Sequence, residues 1–348
     1  MITLGQVAIG RDNNLNLIRM VAASAVLVSH AWPIALGPET IEPLRALTGH
    51  KLGSLSVWVF FAISGFLIAM SFERSPSRGR FVRARARRLL PALVVSVLAV
   101  AFVLGPIVTT LPVGIYVTEP ATWSFIWRNI VLAVPQYMLP GVFADQPYTA
   151  VVGSIWTLFY EVLCYIGVFA VGVMGLLQRT RVMLGLIVLY LLGWLWIEAQ
   201  PDVSPRIWAV QNLSLPFVIG TAFYVWRDRI VLHGVGVMAL FVPVLLLHDT
   251  VFYDAVLALA LSYGVFWLAY VPGGWIRGYN RIGDYSYGIY IYAFPLQGFA
   301  VWLMPGQGPW ENIMLAAPMT LICAMASWHW VEQPALTPSP TAAQRRRG

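Results

Sequence analysis

Residues 15–36 read LNLIRMVAASAVLVSHAWPIAL. The run is apolar over a length that crosses a bilayer core, which takes about 20 helical residues. Within it Arg19 and His30 are the only chargeable side chains. Residues 1–14 are mixed and polar, and the run lacks a small-residue cleavage pattern, which argues against a removed signal peptide. The stretch is predicted as a first transmembrane helix, and the rest of the chain repeats its character.

Of 348 residues, 59% are apolar and only 11% are charged. Soluble domains carry about 25% charged residues, so this chain cannot cover its apolar surface with polar groups. Mean hydropathy is +0.73. Disorder, a disulfide scaffold and a DNA-binding domain are excluded, and no nucleic-acid partner is expected. The composition implies an all-α polytopic membrane protein.

Ten stretches qualify as spans: about 15–36, 53–72, 89–110, 153–177, 182–199, 208–226, 231–247, 251–271, 284–304 and 312–331. The seventh is the weakest, since it is short and contains His233 and Pro243. The formal charge of +7 comes from 22 basic and 15 acidic residues, and Lys51 is the only lysine. With the N-terminus inside, cytoplasmic segments hold 17 of the 22 basic residues, including Arg11 and Arg345, Arg346 and Arg347. That asymmetry places both termini in the cytoplasm. Residues 1–336 are expected to form one transmembrane domain, and 337–348 a polar, disordered cytoplasmic tail. The longest outer connection, 111–152, has an apolar middle at 122–139, predicted as an interfacial or re-entrant element. Cys164 and Cys323 sit in apolar runs as packing residues, and no metal-ligand spacing occurs.

Chargeable residues within spans are costly and therefore informative. Arg19 and His30 are eleven residues apart, about 20° past three full turns, so they share a helix face some 16 Å apart along the axis. Either they are a snorkelling arginine and a hydrogen-bonded core histidine, or His30 is a general base, for which its reference pKa is suited. Residues 73–91 read ERSPSRGRFVRARARRLLP. On a helix Arg83 and Arg87 share one face, as do Arg85 and Arg88. This cluster either anchors topology or binds phosphates, which arginine grips bidentately.

In SIWTLFYEVLCY, Ser154, Thr157, Glu161 and Tyr165 are spaced as one polar helix stripe. Glu161 either holds two helices by an ion pair or orients a catalytic histidine. In GDYSYGIYIYAFP, Asp284 is placed to cap the ninth span, with Tyr287 and Tyr290 in an aromatic belt. His50, His233, His248 and His329 lie near interfaces or loops and are read as non-catalytic. No G-x-S-x-G, H-E-x-x-H, GxGxxG or Walker pattern occurs.

Six blocks, in order, resemble acyltransferase family 3, the integral-membrane O-acyltransferases of bacterial envelope and secreted glycans. They are NLIRMVAASAVLVSHAWP with Arg19 and His30; VWVFFAISGFLIA with Ser64; FVRARARRLLPAL; SIWTLFYEVLCY with Trp156 and Glu161; IGDYSYGIYIYAFPLQ; and WHWVEQPAL. They run from about residue 13 to 336. Many relatives carry aspartate where Asn16 stands and histidine where Ala293 stands, so neither position is expected to be essential here. Many also carry an extra extracytoplasmic domain; this membrane domain is expected to act alone or with a separate partner.

The resemblance implies a multi-pass protein of the bacterial inner membrane. It implies transfer of an acyl group, usually acetyl, from cytoplasmic acetyl-CoA to a hydroxyl of a glycan or lipid-linked saccharide. No permanently bound cofactor or metal is implied; acetyl-CoA is a co-substrate. On this reading His30 deprotonates the hydroxyl or is transiently acylated, Glu161 orients or charge-stabilises it, and Arg19 holds a donor phosphate or stabilises the oxyanion. Arg83, Arg85, Arg87 and Arg88 hold the coenzyme phosphates, and Ser64, Trp156, Asp284, Tyr287 and Tyr290 support the site. A transporter or flippase of lipid-linked glycan is the rival reading, but its expected internal repeats are not seen. A non-catalytic scaffold would not need Arg19, His30 and Glu161 within the bilayer.

Overall fold

The computed structural model describes residues 2–10 and 12–337. Arg11, Arg345, Arg346 and Arg347 of the orientation count lie outside these residues, as does the predicted tail beyond Thr337. Among the described residues the chain is helical, with two isolated β-bridges and no strand. It is an all-helical, multi-pass membrane protein.

Each of the ten predicted stretches falls on a helix. In chain order these are α1 (Leu15–Leu36), α2 (Leu52–Arg74) and α3 (Arg78–Ala99). The outer connection contributes α4 (Pro120–Val131). Then follow α5 (Trp156–Val173), α6 (Thr180–Glu198), α7 (Pro205–Val225), α8 (Gly234–Leu246), α9 (Tyr253–Tyr270), α10 (Ser286–Leu303) and α11 (Pro309–Ser327). A π-helical turn at Val100–Leu104 carries α3 on to Val108, and another at Trp328–Glu332 carries α11 on to Leu336. Among the described residues seven helices are long and apolar enough to cross a bilayer: α1, α2, extended α3, α5, α6, α9 and extended α11. Helix α8 has only 13 residues, about 20 Å at 1.5 Å per residue, which is short of the ~30 Å hydrocarbon core.

The connection 111–152 is partly helical. Helix α4 buries Thr122, Phe125 and Asn129 while exposing Trp123, Trp127 and Val131. After Leu132, whose φ is +67°, the chain turns back along α4. Asn129 donates to the Gln136 carbonyl (2.9 Å) and accepts its amide (3.1 Å). Polar backbone that leaves a helix near the membrane is thereby satisfied within the protein.

The chain divides into two compact units. The first comprises Met1–Ala22, Ser54–Pro76 and Thr157–Gly283. Within it, α2 and α7 pack backbone to backbone. A Cβ on Gly65 would stand 2.0 Å from the Phe217 carbonyl oxygen, and one on Gly220 would stand 2.0 Å from that of Ala62. In lipid, helices gain association from such close approach rather than from the hydrophobic effect. Asn14 pins the start of α1 by donating to the carbonyls of Leu268 and Pro272, both at 2.9 Å.

The second unit comprises Ala23–Gly53, Ser77–Trp156 and Asp284–Gly348. Here α10 and α11 pack closely as a hairpin, with Gly288 against the Ala324 backbone. Helix α10 is buried over most of its length, from Ser286 to Val301. It is the element on which the rest of this unit is organised.

Candidate functional site

His30 lies in the part of α1 that belongs to the second unit. Its ring is half-buried and meets Phe294 of α10 edge-on, with centroids 5.2 Å apart. Phe294 in turn meets Tyr148, at 5.7 Å. The Nδ1 atom of His30 is buried and has no hydrogen-bond partner among the described residues. Pro33, three residues on, lacks the N–H that would otherwise bond the Ser29 carbonyl, so α1 is loosened beside His30. The Ser29 hydroxyl donates to Glu42 at 2.5 Å, and Glu42 also accepts the Leu52 amide at 2.9 Å.

Glu161 lies on α5 in the first unit. Its carboxylate accepts the hydroxyl of Ser64 on α2 at 3.0 Å, and also that of Tyr165, one helical turn along. Thr157, Glu161 and Tyr165 keep the predicted spacing on α5. Ser154 does not join them: it precedes the helix, and its hydroxyl donates to the Tyr290 carbonyl at 2.7 Å. Arg19 is half-buried on the part of α1 in the first unit. This unit also holds a cavity of about 350 Å³ among α5, α6 and α7. Its walls are mostly apolar, and they include the Tyr190–Ser214 hydroxyl pair at 2.8 Å. Tyr160 and Cys164, which line it, flank Glu161 along α5.

The arginine segment begins α3. Ser77 caps it by accepting the Arg80 amide at 3.3 Å. The two predicted faces separate by burial: Arg83 and Arg87 are exposed, and Arg85 and Arg88 are half-buried. Arg88 corrects the expectation placed on it. Its guanidinium bonds Asp284 at 2.6 Å and reaches Glu332 at 3.5 Å, beside the Tyr287 ring at 5.8 Å. It ties α3 to the beginning of α10 and the end of extended α11, so its charge is committed within the protein. Asp284 does not take the predicted cap position, which Tyr285 occupies; one residue earlier, it accepts the Ser286 hydroxyl at 2.5 Å and amide at 3.4 Å.

Tyr287 and Tyr290 also depart from expectation. Both are buried, at 7% exposure, rather than standing in an interfacial belt. The Tyr287 hydroxyl donates to the Leu89 carbonyl at 3.0 Å. That of Tyr290 donates to the Ser154 carbonyl at 2.7 Å, reciprocating the bond from Ser154. Tyr290 thus fixes the chain just before Trp156, the first residue of α5.

Three polar residues escaped the sequence reading. Glu332, 2% exposed, accepts the Ser327 hydroxyl at 3.0 Å in addition to facing Arg88. Its signal was a carboxylate within the last apolar run. Glu42, 4% exposed, looked like one more acidic loop residue. Gln297 is fully buried on α10 and donates to the Leu27 carbonyl at 2.9 Å and to Asn312 at 3.1 Å.

Arg19, His30, Ser64, Arg88, Glu161, Asp284, Gln297 and Glu332 sit in the blocks that carried the family resemblance, and comparison with known proteins agrees. Residues 12–329 match the family model described as an acyltransferase domain. The chain belongs to this acyltransferase family. It is similar to the O-acetyl transferase of Shigella phage Sf6, with 28% identity over 342 residues, covering 94% of this chain and 97% of that protein. It is also similar to Nodulation protein 10 of Rhizobium leguminosarum bv. viciae, with 32% identity over 168 residues, 45% of this chain and 43% of the relative. No solved structure matches it significantly.

Proposed function

We propose that the chain is an O-acetyltransferase of the bacterial cytoplasmic membrane that moves acetyl from cytoplasmic acetyl-CoA to a hydroxyl of a cell-envelope or secreted glycan. Family membership supplies acyl transfer, and the name of the phage relative supports acetyl and an oxygen acceptor. The observation that carries the reading is His30. It is a half-buried histidine on a membrane helix whose Nδ1 no group among the described residues satisfies. A buried imidazole nitrogen left unpaired is costly, and sites of that kind are kept for chemistry.

The steps balance simply. His30 takes the proton of the acceptor hydroxyl as its oxygen attacks the thioester carbonyl. The C–S bond breaks, and the coenzyme leaves as a thiolate that is then protonated. Within the first unit, Ser64 fixes the Glu161 carboxylate. The exposed Arg83 and Arg87, with Arg85 beside them, are proposed to take the coenzyme phosphates. Arg88, Asp284, Tyr287 and Tyr290 position the helices that carry these groups.

The test is transfer of labelled acetyl from acetyl-CoA to envelope glycan by purified protein in lipid. Label entering glycan with the intact protein and not with His30→Ala is the expected result. Full transfer by a folded His30→Ala variant sinks the role given to His30. Absence of both transfer and acetyl-CoA binding by the intact protein sinks the donor assignment.

A further inference from the structure

Unpartnered buried amides gather on the elements that surround His30. Gln297 is fully buried, and its Oε1 has no hydrogen-bond partner among the described residues. Both amide atoms of Gln146 are buried and equally without a partner. Such atoms cost about 1–3 kcal/mol each when nothing meets them, so glutamines held this way imply something that enters and bonds them.

Two independent paths place Gln297 beside His30. Its Nε2 donates to the carbonyl of Leu27, one helical turn before His30 on α1. It also lies one turn after Phe294, whose ring meets the His30 ring at 5.2 Å. Gln146 approaches the same turn of α10 from the outer connection. The ring of Phe143 lies against Gly298, where a Cβ would stand 2.4 Å from it, and the ring of Tyr148 lies 5.7 Å from that of Phe294. The segment carrying Gln146 is therefore held across the turn that carries Phe294 and Gln297.

The orientation of the Gln297 amide is fixed by its partners. Nε2 is spent on Leu27 and Asn312, and Asn312 returns a bond to the Gln297 carbonyl at 3.0 Å. What remains is one acceptor at Gln297, with one acceptor and two donors at Gln146. A carbohydrate hydroxyl both donates and accepts, and adjacent hydroxyls on one ring satisfy both amides together. The aromatic rings of Tyr148 and Phe294 suit the apolar faces of a sugar ring, and pockets of this kind combine an aromatic wall with a few placed polar groups.

We propose that Gln146 and Gln297 form the subsite that holds the saccharide acceptor, with its reacting hydroxyl at His30. The proposal rests on the O-acetyl-transfer reading and adds the residues that recognise the acceptor.

The experiment uses full-length protein in lipid nanodiscs with labelled acetyl-CoA. The acceptor probe is total envelope polysaccharide from the expressing cells, stripped of O-acetyl groups by alkali. Initial rates are measured against polysaccharide and against acetyl-CoA for the intact protein, Gln146→Leu and Gln297→Leu. The expected result is a rise in half-saturation for polysaccharide of about three- to tenfold per variant, with that for acetyl-CoA unchanged. Unchanged polysaccharide half-saturation in Gln146→Leu overturns the proposal. So does a parallel shift for both substrates in that variant, because that is the mark of general structural damage. Gln146 makes no side-chain hydrogen bond among the described residues, so it answers the question even where loss of the Gln297 bonds weakens folding. If the intact protein transfers nothing, it is the O-acetyl-transfer reading that fails. Equilibrium dialysis of labelled polysaccharide against the same three proteins then decides the subsite by itself: binding lost in the variants supports it, and equal binding or none to the intact protein overturns it.

Discussion

The Ser64 hydroxyl donates to the Glu161 carboxylate at 3.0 Å, joining α2 to α5 through a polar bond in an otherwise apolar setting. Replacing Ser64 by Ala leaves Glu161 with the Tyr165 hydroxyl and one fewer donor. The acetyl-transfer rate is expected to fall about three- to tenfold, the value of one neutral-donor bond to a buried group. Glu161→Gln keeps a similar shape but removes the charge, and is expected to cost more than Ser64→Ala at saturating substrate. Equal effects would mean that the carboxylate is held for packing alone.

His30→Gln and His30→Ala are expected to lower the transfer rate by about 10²–10⁴-fold, the usual reach of a general base. Acetyl-CoA binding, measured by calorimetry on the same preparations, is expected to persist. Loss of binding together with rate would place His30 in the donor site instead.

The arginines are expected to divide by burial. Arg83→Glu with Arg87→Glu raises the half-saturation for acetyl-CoA, and added salt weakens the intact protein in the same direction. Arg88→Ala leaves Asp284 and Glu332 without their cation. It is expected to destabilise the protein by about 3 kcal/mol, as for one lost partner of a buried pair, which thermal unfolding in detergent reads directly. A stable Arg88→Ala variant with weakened acetyl-CoA binding would restore Arg88 to the phosphate cluster.

Gly65→Ala pushes a methyl group into a carbonyl oxygen of α7. Backbone cannot rotate away as a side chain does, so α2 and α7 must part. A loss of about 3 kcal/mol, at the upper end of overpacking costs, is expected. Ala62→Gly, on the same helix, would not produce it. Folded yield and melting temperature check the comparison.

The helices were legible because hydrocarbon leaves the backbone few choices, so apolar length alone marks them. The family blocks were legible as residue patterns for the same reason that they are short: each falls on one helix or runs into its start. What stayed hidden depended on contacts between distant segments. Ser154 has the right spacing for the Glu161 stripe, yet it lies before α5 because Tyr290 takes both its hydroxyl and its carbonyl. Tyr287 and Tyr290 resemble belt residues in composition, but α10 is central to its unit. Arg88 reads as one of seven arginines until Asp284 and Glu332 arrive from almost 200 and more than 200 residues away. Glu42 carries no local pattern at all, and nothing in the block that ends at Gln297 marks its amide as buried.

Gly65 and Gly220 face backbone, and no residue is smaller than glycine. An enlargement at either position therefore has no compensating reduction available at the other. Among descendants of this sequence the two sites are expected to resist drift independently rather than to covary. A lineage that lost one would have to rebuild the spacing of two whole helices. The contact thus works as a ratchet on divergence: the chain is freer to change what it acetylates than how α2 lies against α7.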